Sequence, residues 1–87
     1  MTTEEQLNRQ KAIALWKLKH GFAESDSPNS PTRKEIMATL LNRDKLRKEL
    51  SQEYLETFGE NYEGDILEDV VMDRQSRKEL EAQVYQK

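Results

Sequence analysis

No cysteine occurs among these 87 residues, which excludes a disulfide framework, a thiolate metal site and a thiol nucleophile. Histidine occurs once, at His20, so an imidazole cluster has no second member; a helix-end cation or hydrogen-bond donor is the role that fits. Long apolar runs are missing too. The longest, Ala12 to Trp16, is five residues, against about 20 for a membrane span. The opening Met1-Thr2-Thr3-Glu4-Glu5 is acidic and has neither the basic nor the hydrophobic region of a signal peptide. A cytoplasmic protein, of a bacterial cell or an infected host cell, is expected. Neither sign of charge dominates: 14 basic and 17 acidic side chains leave a net charge of −3, which makes neither nucleic acid nor an acidic membrane the default partner.

What is present is apolar periodicity in a chain long enough for one domain and too short for two. A domain of this size buries only about 60–65% of its unfolded surface, so its core is thin. Thr3 with Gln6, or Thr2 with Glu5, has capping-box spacing, and acidic residues fill the first turn. A first helix over about 4–20 follows. Gly21 would end it in the left-handed conformation, with Phe22 folding back on the last turn as in a Schellman cap. At about 100° per residue, Leu7, Ala14, Leu15 and Leu18 form one stripe on this helix, while Ile13 and Trp16 fall well round the cylinder. One stripe suffices to dock the helix on its own domain. The second face then needs cover from the rest of a small core, from a second copy or from another protein.

Residues 21–31 read as a linker, being rich in Ser, Pro and Asn after Phe22. Pro31 and the capping pair Thr32 and Glu35 open a helix over about 33–41, with Ile36, Met37, Leu40 and Leu41 on one face. Leu46, Leu50, Tyr54, Leu55 and Phe58 continue an i, i+4 rhythm on a stripe rotated by about 60–70°. A break at Asn42-Arg43-Asp44 is therefore expected, with a further helix over about 44–58 ended by Gly59. Asp65 and Glu68 start a last helix over about 66–85, carrying Ile66, Leu67, Val70 and Val71. The β-branched content of Asp65 to Met72 also permits a short strand, but no partner strand is evident. The expected fold is all-α, a small open bundle of three to four helices.

The stretch Leu50-Ser51-Gln52-Glu53-Tyr54-Leu55-Glu56-Thr57-Phe58-Gly59, followed by Asp65-Ile66-Leu67-Glu68-Asp69, resembles the middle helices of an annexin repeat. The similarity covers fewer than half the residues. The glycine-rich calcium loop that should precede these helices is replaced by Asn29-Ser30-Pro31-Thr32, so the resemblance implies a helical layout and not calcium-dependent membrane binding.

Chemistry finds little to work with. The acidic series Glu60, Glu63, Asp65, Glu68, Asp69 and Asp73 lacks the ligand spacing of an EF-hand, and no nucleophile–base pair or phosphate loop can be assembled. No enzyme, cofactor or metal is expected. Arg33, Lys34, Arg43, Lys45, Arg47 and Lys48 invite comparison with a helix-turn-helix, but Glu49, Glu53 and Glu56 follow on the same helix and would repel phosphates. The candidate partner-binding residues are Ile13, Trp16, His20 and Phe22, because aromatic anchors dominate interfaces. Alternatively Trp16 plugs the core against Phe22 and the Leu40/Leu41 face. The expectation is a small binding protein that docks on a larger protein as an inhibitor, adaptor or accessory factor. The alternatives are a self-assembling helical protein, such as a homodimer, and a helix-turn-helix-like DNA binder.

Overall fold

The computed structural model describes residues 3–85. Helix α1 spans Thr3–His20, with Glu4 and Glu5 in its first turn and Lys17, Lys19 and His20 in its last, charges that match the helix dipole at both ends. The Thr2–Glu5 capping pair lies partly outside the described residues. Gly21 ends the helix, but not by a left-handed turn, since its φ is not positive and its N–H still reaches Lys17 O at 2.8 Å. Close approach is what demands glycine here: a Cβ would stand 2.4 Å from Val70 O and 2.5 Å from Lys17 O. Phe22 accordingly continues into a strand instead of folding back on α1.

That strand, β1 at Phe22–Ala23, pairs in parallel with β2 at Val71–Met72, in the register Phe22 to Val71 and Ala23 to Met72. Two sequence expectations are corrected by it. Residues 21–31 are not all linker, and the helix expected over 66–85 is two helices, α4 at Ile66–Val70 and α5 at Arg74–Tyr85, with β2 between them. Val70, Val71 and Met72 are all buried, and three consecutive helical residues about 100° apart would spread over too wide an arc to face one thin core. Val71 is extended instead (φ −91°, ψ 103°). Asp73 then restarts the chain, its Oδ1 accepting the Ser76 N–H at 2.7 Å as an N-cap.

Between these parts lie α2 (Arg33–Thr39) and α3 (Arg43–Phe58). Thr32 and Glu35 form the expected capping box, Asp65 caps α4 through Leu67 N and Glu68 N, and Gly59 closes α3 in the left-handed conformation with its N–H on Leu55 O. The expected break also occurs: Leu40 is extended and Asn42 left-handed at φ 54°. It turns Leu41 out to 82% exposure, so Leu41 does not share the core face with Ile36.

The fold is all-α apart from the two-residue strands, with five helices among the described residues. The core gathers Trp16, Ile36, Leu50, Tyr54, Ile66, Leu67, Val70 and Val71, with Ile13, Met37, Leu40, Leu46, Phe58 and Tyr62 packed around it. Helix α5 runs antiparallel along α1, so that Ser76 shares a hollow with Lys17 and Gln83 shares one with Leu7. The Cα radius of gyration is 13.8 Å, against about 12 Å for a compact domain of this length. The Cα extents of 41 × 30 × 16 Å describe a slab about two helix layers thick, given axes about 8–10 Å apart. Every helix therefore keeps an outward face.

Candidate functional site

Helix α1 carries its apolar residues on two faces, and the fold chooses between them. Trp16 is 5% exposed and meets Tyr54 edge-on, with ring centroids 5.4 Å apart, and Phe58 at 6.5 Å. It is a core residue, not an exposed anchor, and its ring neighbours are α3 aromatics; of the Phe22 and Leu40/Leu41 face expected from the sequence, Leu40 packs on the same core while Leu41 is exposed. His20, one turn on, lies over the Trp16 ring at 4.9 Å and places Nδ1 3.1 Å from Glu53 Oε2 of α3. Ile13 is half-buried, packs on the core and lines a hollow with Tyr54 and Tyr62. These three expected site residues are thus brought together, as the seam between α1 and its own core. Phe22 stands apart in β1, 37% exposed.

Ala14 of the other stripe is buried too, at 1% exposure, but the leucines of that stripe stay partly outside. Leu7 is 52% and Leu15 50% exposed, Leu18 is half-buried, and Lys11 and Lys19 are exposed beside them. Neither lysine has an ion-pair partner among the described residues. Leu7 and Leu15 are about 12 Å apart along the helix, with Lys11 midway. Leu15 and Lys19 edge a hollow of about 260 Å³ whose walls include Trp16, His20, Thr57 and Phe58. Leu7 and Lys11 edge a smaller one against Gln83 of α5. The outward face of α1 is therefore an apolar strip with lysines in it, bordered by the ends of α3 and α5. The sequence assigned Leu7 and Leu15 to the domain's own core. Ring size was the signal that could have reversed the assignment, because a tryptophan removes more apolar area from water than either leucine.

Several polar side chains of the surface are engaged by the fold itself, while Lys34, Arg43, Lys45 and Lys48 stay exposed. Arg33, one of the basic residues considered for DNA, donates from Nε to Val71 O at 2.7 Å and from NH2 to Glu68 Oε2 at 2.8 Å, closing the C-terminal end of α4. Arg47 bridges Asp44 and Asp65 at 2.9 and 3.1 Å. That guanidinium, more than the cap amides, holds the Asp65 carboxyl below its ordinary value. The hollow of about 570 Å³ between α1, α4 and α5 is lined by Lys17, Glu68, Asp69, Asp73 and Glu79 among others, but Asp69 accepts the Tyr62 hydroxyl and Asp73 is the α5 cap. Burial and then the Asp69 hydrogen bond push the Tyr62 phenol upward, so it stays protonated. Among the described residues no group of three or more His, Cys, Asp or Glu side chains converges as a metal would require, and no helix is long and apolar enough to cross a membrane.

No family model, curated protein or solved structure matches this chain.

Proposed function

We propose that this chain is a small non-enzymatic binding protein that acts in the cytoplasm by docking on a larger protein as an inhibitor, adaptor or accessory factor, and that it docks through the outward face of α1. The reading rests on one observation: Leu7 and Leu15 stay half-exposed on the longest helix, and Leu15 sits at the rim of a hollow walled by Trp16 and Phe58. Singly exposed leucines need no explanation, but one at the rim of a hollow with aromatic walls is what a partner's anchor residue requires.

A photo-crosslinking amino acid placed at Leu15, with a second variant carrying it at Leu41, tests the proposal in cells. Leu41 is the more exposed leucine, at 82%, and stands in the α2–α3 break, so it serves as the control. A discrete adduct from position 15 that is absent from position 41, and lost when Leu7→Glu is added, is the expected result. Equal adducts from both positions, or an adduct indifferent to Leu7→Glu, would sink the reading.

A further inference from the structure

Resting on that reading, we infer that the surface seated on α1 is an acidic one: a helix or groove of a different protein that presents two apolar side chains about 12 Å apart with a carboxylate between them.

The argument starts from Lys11. It lies midway between Leu7 and Leu15, is exposed and has no ion-pair partner among the described residues. From Leu7 to Lys19 the charged side chains on this face are Lys11 and Lys19, both cationic, in a chain whose net charge is −3; the acidic Glu4 lies on the same face but one turn before Leu7, outside the leucine pair. A second copy is poorly suited to cover it. An antiparallel two-fold pairing that stacks Leu7 on Leu15 of the other copy must centre on residue 11 and set Lys11 against Lys11. A parallel pairing in register does the same, and sliding by one turn places each ammonium on a leucine. Symmetry makes a homodimer repeat its own charge, whereas a foreign surface can supply the opposite one. An anionic membrane is also poorly suited. An interfacial helix sinks a broad apolar arc about 5–10 Å into the headgroup boundary, and here that arc amounts to two half-exposed leucines with a lysine between them.

Three synthetic amphipathic helical peptides provide the probe. They differ only at one position, Glu, Gln or Lys, midway between two leucines spaced as Leu7 and Leu15 are. Each is titrated into the full isotope-labelled chain and followed by backbone amide shifts. The expected result is shifts clustered on Leu7, Lys11, Leu15 and Leu18, with the Glu peptide bound about fivefold more tightly than the Lys peptide at low salt. That preference should shrink as salt is added and invert in the Lys11→Glu variant. Equal binding of all three peptides at the same residues overturns the acidic partner and leaves the docking face standing. Shifts elsewhere, or none, overturn both. The same residues moving with protein concentration alone would make the occupant a second copy, and their moving on vesicles containing anionic phospholipid would make it a membrane; either result overturns the inference.

Discussion

The carboxylate of Glu24 accepts the backbone N–H of Arg33, the first residue of α2, at 2.6 Å. Its other oxygen accepts the N–H of Arg74, the first residue of α5, at 3.2 Å. One side chain thus satisfies an orphan donor at the start of each of two helices far apart in sequence, from its place immediately after β1. Glu24→Ala is expected to destabilise the fold by about 1–2 kcal/mol, and Glu24→Gln, which keeps one acceptor oxygen, by less. Urea unfolding followed by circular dichroism measures both, and equal effects would remove the double-cap account.

Gly21 and Gly59 should respond to alanine for different reasons. At Gly21 the added methyl would meet backbone oxygens of Val70 and Lys17 at 2.4 and 2.5 Å, so α1 and α4 must move apart, at about 2–3 kcal/mol. At Gly59 the space is open and only the positive φ of 73° is strained, at about 1 kcal/mol. The ordering of the two midpoints in denaturant checks this.

Trp16 and Leu15 are neighbours in sequence with opposite fates. Trp16→Ala removes a core aromatic and should cost about 3–5 kcal/mol. Leu15→Ala changes a half-exposed side chain and should cost about 0.5 kcal/mol or less. The emission of Trp16 in the wild type should be blue-shifted and independent of protein concentration; a concentration-dependent shift would relocate it to an interface between copies.

Acid should weaken the fold through two N-caps. Asp65, held down mainly by Arg47, and Asp73, held down mainly by the Ser76 N–H, both titrate below the ordinary value of 3.8. The unfolded chain takes up these protons first, so their contribution is fully present above about pH 4 and disappears as pH falls through the lowered native values. Both groups lie at the surface, so the effect is small and screened by salt. An Asp65→Asn/Asp73→Asn variant should be less stable than wild type near neutrality, and the gap should narrow towards about pH 2. A gap that stays constant over that range would rule out this linkage.

Much of the fold was legible because its signals are local. Thr32 with Glu35, Asp65 with Glu68 and Gly59 each satisfy helix-end groups within one turn, so their spacing announces them. The rotation between the Ile36 and Leu50 stripes likewise required the break that Asn42 supplies. Asp73 as a second start within the last segment was also readable, from the polar run that follows it, but the helical pattern of Ile66 to Val71 concealed it.

By itself, then, the sequence determined an all-helical, cysteine-free chain, its caps at Thr32, Gly59 and Asp65 and the residues available to its core, because these depend on periodicity and on atoms a few residues apart. The tertiary structure alone decided that Phe22–Ala23 and Val71–Met72 pair as strands, and that Trp16 faces inward while Leu7 and Leu15 face out. Two-residue strands carry no periodicity of their own and exist only where a distant segment meets them. An amphipathic helix with two apolar faces buries whichever one its neighbours can cover, and those neighbours, Tyr54 and Phe58 of α3, reach α1 only once the chain has folded back on itself.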